Sequence, residues 1–514
     1  MEPAPSHPSS FRQLLKNSHF VRLWVAQLIS QTIQNAANFG SLYLLATQSQ
    51  SFTAVGGIFV SFSLPIVLLG VPAGVLVDRV NKKFVLWGSN FLRAVVSFAF
   101  IVTLINIPKG FAIIYLLTFV VSAISQFFGP AEGAAIPSLV KEEEIVSALS
   151  LFNVTFTLAQ ALGFIMVGPL VIQLAPSFHF NFGFASLHTT SVEFLFLLIA
   201  VAYLICTALT FTLPGDKLQP SHNPNSSLAT KRIISIWRSI IETGVFVWQQ
   251  RALVITLIEL TIGNTLISII GMIAPNFSAE FMHRPQQVAA LFIFLPAGIG
   301  LVGGSALMPR VIHRIGFAFA ELMGFIVVSV SIFLITASHW GIIHYDPQNW
   351  PNSTPYIAAI MLLSLLIGVG LTMITLPAQT LMQKKSPNWI RGRVISLQTM
   401  VQSAALIPII PAVGAMADIF GLTIAFNVLA VLIIFSGFLS VYLAERTGGH
   451  SRPVLTSSRF IIERALRETN SANDTAAPVS GAGPAAHQVS EALLPNNNKK
   501  RYEPSKPDDR LRTQ

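Results

Sequence analysis

Charge is what this sequence has least of. Only 11% of its 514 residues are Asp, Glu, Lys or Arg, against about 25% in an ordinary soluble domain. Hydrophobic residues make up 53%, and the mean hydropathy is +0.65. A chain of this kind cannot cover itself with polar surface, which excludes a soluble enzyme and points to repeated membrane crossing. Cysteine is almost absent. Cys206 stands alone, so no intramolecular disulfide forms and the redox compartment is left open. No Gly-rich phosphate loop occurs, which leaves ATP without a recognisable seat. The 11 histidines are scattered without metal-ligand spacing. Neither a metal nor an organic cofactor is expected. No small-residue cleavage signal follows the first apolar run, so that run is expected to stay in the protein.

Long apolar runs are abundant. A spanning helix needs roughly 20 mostly apolar residues, and twelve runs qualify, at about 22–46, 54–77, 84–107, 110–130, 149–174, 192–213, 252–276, 288–309, 317–338, 356–377, 394–417 and 422–444. The expected fold is an all-α polytopic membrane protein of twelve transmembrane helices in two six-helix pseudo-repeats. Residues 1–213 form the N-terminal half and 252–444 the C-terminal half. Between them 214–251, with Pro-Gly and Asn-Pro turn signals, reads as a cytoplasmic central loop. The tail, 445–514, is polar and without periodicity, and reads as cytoplasmic and disordered. One stretch of it, 458–467, has the pattern of a short basic amphipathic helix.

The net charge of +10 raises the question of nucleic acid. Its distribution answers it. The loops on one side hold only Lys109 and Arg284, whereas those on the other hold Arg79, Lys82, Lys83, Lys141, Arg310, Arg314, Lys384, Lys385, Arg391 and Arg393, among others. Cations gather on the cytoplasmic side of membrane proteins. The surplus therefore sets an orientation with both termini in the cytoplasm of an inner membrane, and no nucleic acid is needed to explain it.

The turn after the second run reads Gly74-Val-Leu-Val-Asp78-Arg79-Val-Asn-Lys82-Lys83. Gly74 permits close helix approach, Asp78 can accept hydrogen bonds from a neighbouring helix start, and the cations suit anionic headgroups. This pattern resembles the loop 2–3 signature of the major facilitator superfamily, with Asn81 in place of a glycine; asparagine tolerates the left-handed conformation such a turn requires. The resemblance implies the superfamily's twelve-helix fold, alternating access, and a cytoplasmic gate formed by Gly74, Asp78, Arg79, Lys82 and Lys83. Arg93, within the third run, reads as a gate partner for an inner-side carboxylate. Phe20-Val-Arg-Leu-Trp24, Ala135-Ile-Pro-Ser-Leu-Val140 and Arg391-Gly-Arg-Val394 are similar to the macrolide-efflux and siderophore-exporter branch. The likeness covers about 11–445. One departure is Phe164 in Gly163-Phe-Ile-Met-Val-Gly168-Pro169, where drug antiporters tend to carry proline.

Polar residues inside the runs mark candidate sites. Gln27, Gln31, Gln34, Asn35 and Asn38 share one face of the first run. Amides are unwelcome in hydrocarbon, so the stripe either lines a wet cavity or joins helices. Gln126, Asn264, Thr372 and Thr375 continue the pattern in runs four, seven and ten, which the resemblance places around a central cavity. Glu259 and Glu132 are the candidates for carrying a coupling proton, with the alternative that Glu259 is a structural acid paired with a cation. The expected function is proton-driven export of a hydrophobic or amphipathic small molecule by a monomer in the lipid bilayer. A lipid-like or siderophore-like metabolite, or a non-transporting membrane sensor, are the alternatives.

Overall fold

The computed structural model describes residues 14–447 except 50, 78, 107–109, 176–177, 183–184, 220–228, 287–289, 349 and 388–389. Asp78 and the tail stretch at 458–467 lie outside the described residues. The chain runs as α1 Ser18–Ser49, α2 Phe52–Val77, α3 Lys82–Asn106 and α4 Phe111–Leu139. Next, α5 Ile145–Ala161 continues through a π-helical turn, Leu162–Val167, into α6 Gly168–Leu174. A short antiparallel hairpin, β1 Phe178–Phe182 with β2 Ala185–Thr189, pairs Phe178 with Thr189 and leads to α7 Ser191–Phe211.

The second half follows α8 Ala229–Gln249 and comprises α9 Arg251–Phe281, α10 Leu295–Ile315, α11 Phe317–Tyr345, α12 Thr354–Lys385, α13 Arg391–Phe420 and α14 Leu422–Thr447. Another π-helical turn, Ala290–Phe294, opens α10.

Eleven helical segments among the described residues are long and apolar enough to cross a membrane. The twelfth is α1, diluted by its six amides but 32 residues long, which at about 1.5 Å per residue exceeds the roughly 30 Å hydrocarbon core. The protein is thus an all-α polytopic membrane protein of twelve transmembrane helices in two groups of six. Helix ends follow local chemistry. Gly316 and Gly421, at φ 79° and 83°, close α10 and α13 in the left-handed conformation that side chains disfavour. Internal prolines such as Pro65, Pro72 and Pro377 are tolerated because neighbouring helices shelter the freed carbonyls.

The sequence reading of 214–251 as a loop needs correction, because α8 occupies most of its second part. Its Phe246 and Val247 are buried against Leu253, Leu260, Ala378, Met382 and Val394 of α9, α12 and α13. The turn signals that suggested a loop all precede residue 226.

Each half is a bundle of its own, with α3 on α7 and α2 on α4 in the first, and α12 on α10 and α11 in the second. The halves meet along a seam where α2 lies on α13. The end bearing Arg79, Lys82, Lys384 and Arg391 is called here the basic end, and the opposite one the far end. Toward the far end the hydrophobic core is one cluster drawn from both halves, including Phe39, Phe52, Phe59, Met272, Phe294 and Ile410. Toward the basic end it divides. One cluster, with Phe20, Leu86, Phe128 and Phe152, belongs to the first half, and a separate one, with Leu253, Leu260, Met382 and Val394, to the second.

Candidate functional site

The seam is held by close backbone approach and aromatic rings. At Gly56 a side chain would come within 3.2 Å of the Met272 sulfur and 3.3 Å of Ile410. At Gly414 it would come within 2.8 Å of the Phe52 carbonyl oxygen. Small residues allow this packing, which is what joins helices in a bilayer where the hydrophobic effect does not. On the other flank the two π-helical turns meet. Phe164 and Phe294 lie 5.2 Å apart in an edge-to-face pair, and Phe39 completes the cluster at 5.6 Å from Phe164. Edge-to-face geometry places a positive ring edge on a negative face.

Hydrogen bonds cross the seam at the far end as well. The Asp418 carboxylate accepts from Phe52 N–H at 2.8 Å, Thr53 N–H at 3.0 Å and the Ser51 hydroxyl at 2.7 Å. Gln286 Nε2 donates to the Ala46 carbonyl at 3.0 Å. At the basic end the helices part. No atom of the described residues lies within 4 Å of the space a side chain would take at Gly70 or Gly74. A recess of about 170 Å³ there is lined by Gln379, Met382, Gln383, Ser386, Arg391, Ile395, Gln398 and Thr399.

The turn after α2 is tied to its own half. Lys82 Nζ donates to the Gln219 carbonyl at 3.2 Å, and Lys83 stands 5.1 Å above the Phe211 ring. Arg79 is exposed. Asn81 is not left-handed, contrary to the expectation from the sequence. Its side chain accepts from the Lys83 N–H at 3.0 Å and so caps α3, a role open to asparagine and closed to glycine.

The amides of α1 divide by direction. Gln34 Oε1 accepts from the Ser125 and Tyr203 hydroxyls, both at 3.0 Å, joining α1 to α4 and α7. Asn38 faces a small space shared with Ser97, Thr118 and Phe196 inside the first half. Asn35 turns back on the Gln31 carbonyl, as Asn264 and Gln126 do on Leu260 and Ser122. Gln27 is 3% exposed, with its Oε1 unpaired. Thr372 donates to the Leu301 carbonyl at 3.0 Å, fastening α12 to α10, and Thr375 bonds its own helix.

Several charged side chains are buried among the helices. Arg93 is 2% exposed. Its Nη1 donates to Ser30 at 2.9 Å, and its guanidinium lies 4.8 Å from the centre of the Phe128 ring and 5.6 Å from that of Tyr203. The aromatic faces supply cation–π attraction to this buried guanidinium. Glu132, across from it on α4, feels this charge but makes no hydrogen bond through Oε1. In the second half Glu259 accepts from Ser440 and faces the Glu321 carboxyl on α11. Its partner is thus another acid and a hydroxyl, not the cation the sequence reading weighed.

The Major Facilitator Superfamily model matches residues 23–410. The chain belongs to that family. It is a membrane transporter of the superfamily's type, with a small molecule as the class of its substrate. The uncharacterised MFS-type transporter YfiS of Bacillus subtilis is 23% identical over 402 residues, 78% of this chain and 87% of that protein. The multidrug efflux pump Tap of Mycobacterium tuberculosis is 22% identical over 395 residues, 74% of this chain and 82% of its own. A shorter match, to the MFS-type transporter YkuC of Bacillus subtilis, is 29% identical but covers only 29% of this chain and 35% of YkuC. Among solved structures, the nucleoside transporter NupG aligns with a TM-score of 0.58 at 14% identity, over 83% of this chain and 98% of NupG. A bacterial homologue of the iron transporter ferroportin in an inward-facing state gives 0.58 at 15%, over 85% and 100%. At such identities these two speak for the fold alone.

Sequence reasoning missed Asp418. Gly414-Ala-Met-Ala-Asp418 repeats the glycine-to-acid spacing of Gly74-Val-Leu-Val-Asp78, and that repeat was the available signal. The pairing of Glu321 with Glu259 had no such signal.

Proposed function

We propose that this transporter exports hydrophobic or amphipathic small molecules, driven by the proton gradient, as a monomer in an inner membrane with its basic end and both termini in the cytoplasm. In this reading the structure is the state open to the cytoplasm. The observation that carries it is the core, undivided between the halves toward the far end and split toward the basic end. Rocking one half against the other exchanges which end is sealed. The seam offers Phe39, Phe164, Phe294 and Met272, while Arg93, Glu259 and Glu321 are buried. Such a path favours apolar and aromatic cargo over sugars or polyanions. The likeness to Tap supports efflux, and the three short motifs support the macrolide-efflux and siderophore-exporter branch.

Two carboxyls are placed to carry the proton. Glu132 lies on α4, which the family likeness puts at the cavity, and its Oε1 has no hydrogen-bond partner among the described residues. Glu259 is engaged by Glu321 and Ser440, which makes Glu132 the better placed of the two. Asp78, Gly74, Arg79, Lys82 and Lys83 form the cytoplasmic gate, closing when the far end opens. Gln31, Gln34, Asn38, Gln126, Asn264, Thr372 and Thr375 belong to helices around the cavity.

The test is ethidium and erythromycin accumulation in efflux-deficient bacteria, comparing the wild type with Asp78→Asn at equal membrane expression, with and without a protonophore. Lower accumulation that disappears with the substitution and with the protonophore is expected. Accumulation equal to that of cells without the protein would sink drug export and leave lipid-like or siderophore-like cargo as the reading.

A further inference from the structure

We propose that Asp418 is the latch that keeps the far end shut, a residue of the transport cycle as necessary there as a gate acid is at the basic end. The proposal gives a mechanism to the alternating access proposed above and rests on that reading.

The first turn of any helix leaves its N–H groups without partners, and a residue of the same chain segment normally caps them. In α2 the N–H groups of Phe52 and Thr53 are capped from the other half of the protein, beside the local cap that Ser51 gives Ala54. Asp418, at the end of α13, accepts from the N–H groups of Phe52 and Thr53 with its two oxygens and from the Ser51 hydroxyl as well. Ser51 also accepts from the Ala54 N–H through its hydroxyl at 3.3 Å, so it is shared between the two helices. The partial positive charge of a helix start favours a carboxylate at this place.

The approach needs a glycine. Gly414 is one turn before Asp418 and lies on the Phe52 backbone, where a side chain would come within 2.8 Å of the carbonyl oxygen. Gly56, one turn into α2, allows a looser approach, with Met272 of α9 at 3.2 Å and Ile410 of α13 at 3.3 Å from the place of a side chain. Glycine for contact and acid for capping therefore act together, with the spacing that Gly74 and Asp78 show at the other end of α2.

A latch must hold without welding. Asp418 is exposed at the surface, and no charged side chain among the described residues acts on it. When the halves part, its carboxylate passes into water instead of being stranded in hydrocarbon. Breaking the cap thus carries no large desolvation penalty, unlike breaking a buried ion pair. Loss of a helix cap shifts an equilibrium by about fivefold to tenfold, which is enough to tip two states of similar population.

The experiment reads both ends at once in purified full-length protein in detergent, so it does not depend on membrane orientation. In a Cys206→Ser background, Met272→Cys reports the far end, since Met272 is 0% exposed in the seam. Thr399→Cys, in the recess, reports the basic end. Labelling rates with a polar maleimide are compared with and without Asp418→Ala, and again with Asp418→Asn. The expected result is a rate about fivefold to tenfold higher at Met272→Cys together with a lower rate at Thr399→Cys. Rates unchanged at both sites would overturn the proposal, leaving Asp418 a local cap. Rates raised at both would also overturn it, because general loosening raises both. A reciprocal change in a protein that moves no ethidium would keep the latch and refute the export reading.

Discussion

The two ends of the seam use the same pair of helices differently. At the far end Gly56 and Gly414 bring α2 and α13 into contact and Asp418 ties them. At the basic end Gly70 and Gly74 of the same α2 face open space. Among the described residues the glycines there make no such contact in this conformation. Under the proposed alternating access, a helix pair with small residues at both ends but contact at one has two arrangements, and packing at one end excludes packing at the other.

Adding side chains at these glycines has the largest expected effect. Gly414→Val forbids the far-end contact, and Gly74→Val leaves the present one intact while obstructing closure at the basic end. Both are expected to reduce ethidium transport more than about tenfold, since a blocked step stops the whole cycle. Their labelling patterns should be opposite, with Met272→Cys reactive in the first and protected in the second. Identical patterns would mean that the ends do not alternate.

A smaller effect is expected inside the first half. Arg93→Ala removes a buried guanidinium from beside Glu132 and should cost about 3 kcal/mol of stability, the scale of losing one partner of a buried charged pair. Thermal unfolding by an environment-sensitive dye would measure it, and adding Glu132→Gln should recover part of the loss. No recovery would show that the two charges are independent.

The second half should respond less. Two carboxyls in contact cannot both carry full charge without repulsion, and in Glu321→Gln an amide N–H can donate to Glu259 instead. The expected change in stability is within about 1 kcal/mol, and a loss several times larger would mean that Glu321 has a partner besides Glu259. Smallest of all is deletion of 452–514, expected to leave transport within about twofold of wild type, as an uninvolved polar segment would. Loss of transport there would revive the sensor reading.

Much of the fold was legible in the sequence because membrane spans announce themselves by length and apolarity. Even α1 was readable, through amides that lower its hydropathy without breaking the helix. The two π-helical turns were not, since neither Leu162–Val167 nor Ala290–Phe294 differs in composition from the α-helix around it. Helix α8 was legible and passed over: its isoleucines recur at helical spacing, but the Pro-Gly and Asn-Pro signals just before it drew the whole segment into a loop. At the site, residue types were visible and directions were not. Gln34 reads alike whether it faces a cavity or Tyr203, because its partner lies 169 residues away. Asp418 was hidden for the same reason, its partners being 365 to 367 residues distant.

The measurement that tests alternating access most directly is a pair of distances by electron–electron resonance in protein reconstituted in nanodiscs. One spin pair, at Gln48→Cys and Thr423→Cys, spans the far end. Another, at Leu76→Cys and Thr399→Cys, spans the basic end, both in the Cys206→Ser background. Two populations are expected at each end, with a short far-end distance always accompanied by a long basic-end one, and a shift between them when ethidium is added or the pH is lowered. Distances that lengthen together, or a single fixed distance at both ends while ethidium is transported, would contradict alternating access.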